Sequence, residues 1–193
     1  MQTRAIDGQR TYLFYVLSGL FAALTAAGAF VRIPLPYVPI TLQTFFVLLS
    51  GSVLGAKFGA LSQLIYLAIG LSGVPVFSNG GGPGYVLQPT FGYLIAYPVA
   101  AYFVGYLSWG GRRVSRSKRP AFGRIVVANL CGILIIFAMG VTVLYLNLTY
   151  LVGKSISLKS VLWTGFVLFI PGDLIKIFLS SVTAAKLNEV VPV

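Results

Sequence analysis

Long apolar runs, broken by short polar or glycine- and proline-rich stretches, make up most of this chain of 193 residues. A helix needs about 20 mostly apolar residues to cross the hydrocarbon core of a membrane. The pattern therefore predicts an all-α integral membrane protein with one membrane domain over residues 1–193. We expect six transmembrane helices, at about 12–31, 41–55, 58–72, 90–109, 125–147 and 158–187.

Two of the breaks between these runs are unusual. The segment 32–40 holds three prolines within six residues, which predicts a stiff, extended connector rather than helix. The segment 73–85 is rich in glycine, carries no charge and contains Phe77 and Tyr85. A solvated linker would be more polar. The segment is therefore either a simple turn or a loop that folds over a ligand, with glycines that let the backbone approach it closely.

Composition supports the membrane interpretation and excludes several kinds of site. Charged residues make up 9% of the chain, against about 25% in a typical soluble domain. The chain has no histidine and a single cysteine, Cys131. A disulfide framework and a Cys/His zinc site are thus excluded, and we expect no metal and no cofactor.

The net charge of +11 is unevenly distributed. Six of the fourteen cations fall in one short segment between apolar runs: Arg112, Arg113, Arg116, Lys118, Arg119 and Arg124. This is the pattern of a cytoplasmic loop, and with six spans it predicts that both termini are cytoplasmic. Because no soluble domain accompanies the basic segment, we expect no nucleic-acid binding.

One acidic residue lies where a membrane helix is predicted. Asp173 falls inside the apolar run 161–182, and Lys176 follows it on the same helical face. An ionisable group within the membrane is costly and is a candidate functional residue. The pair either neutralises itself and holds helices in register, or forms part of a binding site.

Uncharged polar and aromatic residues could join this pair from the outer side. Gln43, which faces either interfacial water or a polar cavity, lies in the first turn of a predicted span. The others lie in the outer loops or at the outer ends of spans: Asn79, Tyr85, Gln88, Tyr93 and Tyr97. An apolar pocket with a few fixed polar groups is the usual form of a small-molecule site.

Small residues also repeat along the first predicted helix. Gly19, Ala23 and Ala27 are spaced four apart, as are Ala22 and Ala26. In lipid this spacing lets another helix approach closely. The partner helix could belong to this protein or to another subunit.

Six short motifs follow one another along nearly the whole chain. They are IPLPYVPITLQT (33–44), GALS (59–62), GVPVF (73–77), GGPGY (81–85), PTFGYL (89–94) and PGDLIK (171–176). In this combination the chain resembles the biotin-specific substrate-binding subunits (S components, BioY family) of energy-coupling factor (ECF) vitamin transporters. Gln88 and Phe91 stand where the family pattern has glycines, so we expect the mouth of the pocket to differ in shape.

The resemblance implies a high-affinity biotin-binding subunit of an ATP-driven importer in a bacterial or archaeal cell membrane. The implied partners are biotin, a transmembrane coupling subunit and two cytoplasmic ABC-type ATPases. The implied substrate-binding residues are Gln43, Asn79, Gly82, Tyr85, Gln88, Tyr93, Asp173 and Lys176. The implied docking residues for the coupling subunit are Ala22, Ala23, Ala26 and Ala27. Lys176 would either pair with Asp173 or contact ligand oxygen.

Two other classes of function compete with this expectation. A stand-alone secondary transporter for a small polar solute is the main alternative, but it usually needs a coupling-ion site, for which one buried acid is little. An enzyme is disfavoured because acid–base chemistry is hard to build without histidine or a second buried acid. The chain also lacks an ATP-binding GxxxxGK[ST] motif, which fits a subunit that depends on separate ATPases.

Overall fold

The computed structural model describes residues 2–35, 37–111, 114, 119–153 and 156–190, with side chains described from residue 11 onward. Its helices are α1 Gln2–Phe30, α2 Gln43–Leu71, α3 Phe91–Trp109, α4 Phe122–Leu146, α5 Leu158–Gly165 and α6 Ile170–Val190. Short 3₁₀-helices span Pro83–Leu87 and Val167–Phe169, and a π-helical turn spans Asn147–Leu151. Two strands of two residues each, β1 Arg32–Ile33 and β2 Ile40–Thr41, form an antiparallel pair. Apart from this small hairpin and an isolated bridge between Phe77 and Gly80, the regular secondary structure of the described residues is helical.

Five helical stretches of the described chain are long and apolar enough to cross a membrane. They are Thr11–Phe30, Gln43–Leu71, Phe91–Trp109, Phe122–Leu151 and Leu158–Val190. The prediction of an all-α membrane protein is confirmed. There are five such stretches in the described residues, rather than the six predicted spans, because the second and third predicted spans both fall within α2.

Helix α2 reverses direction at Gly55. The backbone there is non-helical, with φ 74° and ψ −178°, a conformation that is essentially restricted to glycine. Gln43 Nε2 donates a hydrogen bond of 2.6 Å to the hydroxyl of Tyr66. In a straight helix, 23 residues would separate these two positions by about 35 Å. Residues 43–54 and 56–71 therefore lie antiparallel, each packed against the other.

The proline-rich connector is the hairpin that joins α1 to α2. Arg32 is paired with Thr41 and Ile33 with Ile40, while Leu42 N–H donates to the carbonyl of Gly28 at 3.1 Å. The predicted extended connector is confirmed for its described residues, and Pro36 lies outside them. The glycine-rich segment lies at the same end of the bundle, since the Arg32 guanidinium donates to the side chain of Asn79 at 3.0 Å. We call this the loop end.

A break in the last membrane stretch places Asp173 near a helix start. Phe166 leaves helical geometry, and α6 begins at Ile170 with Pro171 in its second position. Proline is tolerated there because the first N–H groups of a helix have no partner within it. The hydroxyl of Tyr93 donates to the carbonyl of Gly165 at 2.8 Å, next to the break. Asp173 therefore stands in the first turn of α6, where the helix dipole favours a negative charge.

A buried polar cluster ties the helices together away from the loop end. Asn129 of α4 accepts from Ser52 of α2 at 3.0 Å and donates to Ser180 and Ser181 of α6 at 3.0 and 2.9 Å. The indole of Trp109 donates to the carbonyl of Ser52 at 3.0 Å. Such bonds hold helices in lipid because the alternative is an unsatisfied polar group in hydrocarbon.

Candidate functional site

A cavity at the loop end is the candidate functional site. It holds about 440 Å³ of empty space, its open mouth included. Residues of the hairpin and the glycine-rich segment line it together with residues of α2, α3, α4 and α6. The lining residues are Val38, Pro39, Thr41, Gln43, Thr44, Ser78, Thr90, Tyr93, Leu94, Tyr97, Ile136, Phe137, Phe169, Asp173 and Lys176.

The charged group of the cavity is a triad of Asp173, Lys176 and Thr44. Lys176 Nζ donates to Asp173 Oδ1 at 2.8 Å and to Thr44 Oγ1 at 3.0 Å. Thr44 Oγ1 also lies 3.5 Å from the same carboxylate oxygen. Asp173 and Lys176 are 3% and 8% exposed, respectively. The ion pair is therefore shielded from water and joins α2 to the start of α6.

The other carboxylate oxygen is left available. Asp173 Oδ2 is buried and has no hydrogen-bond partner among the described residues. A buried acceptor without a partner is costly, because it has lost its hydration without gaining a bond. The ammonium group of Lys176 has three donors, of which the contacts above use two. The cavity thus presents one strong acceptor beside a charged donor.

Gln43 contributes a fixed amide. Its Oε1 accepts from Thr41 at 2.9 Å, and its Nε2 donates to the hydroxyl of Tyr66. That hydroxyl in turn donates to the carbonyl of Val76 at 3.2 Å. Gln43 is 2% exposed, so of the two predicted environments the polar cavity is the one observed.

Aromatic rings form the apolar wall. Phe137 packs edge-on against Tyr93, with ring centroids 6.2 Å apart, and against Phe169 at 5.8 Å. Tyr97 is 4% exposed and lines the same space. A compact ligand with an apolar body and a few hydrogen-bonding groups fits this combination of walls and polar atoms. Among the described residues, no group of three or more His, Cys, Asp or Glu could hold a metal.

A family model and several relatives match the chain. The model of the BioY family matches residues 2–193. The chain belongs to the BioY family. The resemblance seen in the sequence motifs is therefore confirmed.

Relatives in this family include proteins named as biotin transporters. The chain is 44% identical over 182 residues to the "Probable biotin transporter BioY" of Lysinibacillus sphaericus, covering 94% of this chain and 90% of that protein. It is 37% identical over 175 residues to the "Biotin transporter BioY" of Thermotoga maritima, covering 90% and 95%. A crystal structure of the S-component for biotin from an ECF-type ABC transporter matches with a TM-score of 0.80 and 26% identity, covering 94% of this chain and 93% of that one. Together with its membrane-length helices, this makes the chain a multi-pass cell-membrane protein.

Four of the eight substrate-binding residues implied by the BioY resemblance line the cavity: Gln43, Tyr93, Asp173 and Lys176. Tyr85 is buried but is not a lining residue. It lies just behind the lining, since its hydroxyl accepts from Thr90 at 3.1 Å and lies 3.5 Å from Ser78 Oγ.

The other three are not among the lining residues. Asn79 is exposed, and its side chain accepts from Arg32 rather than facing the cavity. Gln88 is exposed, with its backbone N–H bonded to Tyr85. Gly82 has φ 99° and bonds through its N–H to the carbonyl of Gly70 at 2.7 Å, so it shapes the loop.

The structure adds cavity residues that the sequence argument did not assign. Thr44 lies at the end of the proline-rich motif, and its hydroxyl bridges the ion pair. Ser78, rather than its neighbour Asn79, lines the cavity. Phe137 and Phe169 were not singled out, because phenylalanine within an apolar run carries no signal. For Thr44 the signal was its place beside Gln43 in the polar first turn of a membrane helix.

The predicted docking residues of α1 are divided between two faces. Ala23 and Ala27 are exposed, as is Gly19. Ala22 is 2% exposed and belongs to the protein's own core, and Ala26 packs half-buried against that core. Of the two stripes of small residues, one therefore faces inward and one outward.

Proposed function

We propose that the chain is the biotin-binding S component of an ECF-type, ATP-driven vitamin importer. The observation that carries this proposal is the buried Asp173 carboxylate, whose Oδ2 has no partner among the described residues in an apolar, aromatic-walled cavity. Membership of the BioY family and the similarity to an S-component for biotin support the choice of ligand. The function is transport rather than catalysis.

The chemistry of biotin matches the polar atoms of the cavity. Its ureido group carries two N–H donors and one carbonyl acceptor on a compact, mostly apolar fused ring. Asp173 Oδ2 accepts one ureido N–H in a charge-assisted hydrogen bond. The remaining donor of Lys176 is available to a ligand oxygen, so Lys176 serves both as partner of Asp173 and as ligand contact. Tyr93, Tyr97 and Phe137 pack against the ring system.

The proposed topology has six membrane crossings with both termini cytoplasmic. The antiparallel halves of α2, 43–54 and 56–71, supply two of the six. The basic segment between α3 and α4 then lies on the cytoplasmic side, as positively charged loops usually do. This orientation directs the loop end, and with it the mouth of the cavity, to the outer face.

The proposed partners are a transmembrane coupling subunit and two cytoplasmic ABC-type ATPases. The exposed small residues Gly19, Ala23 and Ala27 form a shallow strip on α1 over which another helix can approach closely. The absence of an ATP-binding GxxxxGK[ST] motif from the sequence fits a subunit whose energy comes from separate ATPases.

Equilibrium binding of labelled biotin to the detergent-purified chain tests the proposal. We expect saturable binding of one biotin per chain, competed by unlabelled biotin and without chemical change to the ligand. A second arm measures biotin uptake by cells that express the chain with or without a coupling subunit and ATPases. Absence of saturable binding in the purified protein would overturn the proposal.

A further inference from the structure

Arg32 is exposed beside the mouth of the cavity: it is not itself a lining residue, but it contacts two residues that are. In the hairpin, Arg32 is the strand partner of Thr41, which lines the cavity. Its guanidinium donates to the carbonyl of Ser78, another lining residue, and to Asn79 Oδ1 at 3.0 Å. The side chain is thereby held across the gap between the hairpin and the glycine-rich segment.

The charge of Arg32 meets no described carboxylate. Both of its acceptors, a carbonyl and an amide oxygen, are neutral. The chain has three acidic residues, and two of them pair elsewhere: Asp173 with Lys176 and Glu189 with Arg119. The third, Asp7, lies 23 residues before the end of α1, about 35 Å along that helix. The mouth of the cavity therefore carries a net positive charge.

The inner end of the cavity is unsuited to an anion. The charge of Lys176 is already balanced by Asp173. A ligand carboxylate placed there would be repelled by the available Oδ2 of Asp173, and both anions would then lie shielded from water. A ligand that carries a ureido group at one end and a carboxylate at the other must then direct its carboxylate to the mouth.

We propose that Arg32 binds the ligand carboxylate at the cavity mouth and selects free biotin over its uncharged amides and esters. This inference rests on the proposed function. Arg32 has the geometry for the task, because a guanidinium presents five donors and can bond a carboxylate while retaining other contacts. Asn79 and Ser78 position the guanidinium, which gives Asn79 a role in binding although it does not line the cavity.

The test compares two ligands on two variants. Affinities for biotin and for biotinamide, which keeps the ureido ring but lacks the charge, are measured by equilibrium competition on purified wild-type protein, Arg32→Gln and Lys159→Gln. Lys159 is the control because it is an exposed lysine in the first turn of α5 and does not line the cavity. For Arg32→Gln we expect the affinity for biotin to fall by about threefold to tenfold, as for a partly solvated charge pair, with the affinity for biotinamide unchanged.

Each other outcome has a distinct meaning. Equal losses for both ligands in Arg32→Gln would make Arg32 a structural link between the loops and would overturn the inference. An unchanged preference for biotin in Arg32→Gln, or no preference in the wild type, would overturn it as well. If neither biotin nor biotinamide binds to the wild-type protein, the proposed function itself is overturned.

Discussion

Lys176 donates a hydrogen bond of 2.8 Å to Oδ1 of Asp173, one turn earlier in α6, while Oδ2 of the same carboxylate has no partner among the described residues. A purely structural ion pair would use both oxygens, because a buried acceptor left without a bond destabilises the fold. The asymmetry therefore favours a binding site over a self-contained pair. The further bond from Lys176 to Thr44 fixes the pair against α2.

Thr44→Val tests the part of the triad that comes from α2. Valine has nearly the same shape but lacks the hydroxyl, so Lys176 loses an acceptor and Asp173 loses a neighbouring donor. We expect biotin affinity to fall by about 1 kcal/mol, which is roughly fivefold. The control is Thr142→Val, at an exposed threonine whose hydroxyl bonds within its own helix. Equal affinities in the two variants would show that Thr44 does not position the pair.

Tyr66→Phe tests the bond that closes the two halves of α2. The substitution leaves the buried Nε2 of Gln43 without this acceptor and the carbonyl of Val76 without this donor. We expect the free energy of unfolding to fall by about 1–3 kcal/mol, the cost of an unsatisfied buried polar group. Thermal unfolding of the detergent-purified protein measures the change. Tyr12→Phe is the control, because Tyr12 is 73% exposed, and a Tyr66→Phe melting temperature equal to that of the control would contradict the account.

Ala23→Phe tests the outward strip of α1. A bulky apolar side chain there leaves the protein's own core untouched, since Ala23 is exposed, but it prevents a partner helix from approaching closely. We expect unchanged biotin binding and loss of co-purification with a coupling subunit and ATPases. Val127→Phe, on the exposed face of α4, is the matched control and retains assembly. Normal assembly of Ala23→Phe would place the docking surface elsewhere.

Most of the fold could be predicted from the sequence. Uniformly apolar runs of sufficient length define membrane helices without any knowledge of packing, and three prolines in six residues exclude helix between α1 and α2. The sequence separates two predicted spans, about 41–55 and 58–72, and the structure places the reversal between them at Gly55. The polar cluster around Asn129 was missed, because a single asparagine or serine in an apolar run does not reveal which helices will meet there.

The sequence identifies the site residues that stand out because a buried charge is costly. It does not identify those whose role depends on the direction in which a side chain points. Asp173 and Lys176 stand out because charge within lipid is costly. Asn79 and Ser78 are adjacent in an irregular loop, where no periodicity tells which of the two faces the cavity, and Ser78 is the one that does. Gly19, Ala23 and Ala27 lie on a different face of α1 from Ala22, a distinction that depends on how α1 packs against its neighbours.

The ligand-binding role of Asp173 is the central claim, and labelled-biotin binding to purified wild type, Asp173→Asn and Glu189→Gln tests it most directly. Glu189 is the matched control because its ion pair with Arg119 is solvent-exposed, and because it lies 13 residues after Lys176, about 20 Å further along α6. Loss of a buried, charge-assisted hydrogen bond costs about 1.5–3 kcal/mol. We therefore expect Asp173→Asn to bind biotin at least about tenfold more weakly, with Glu189→Gln unchanged. Wild-type affinity in Asp173→Asn would contradict the account.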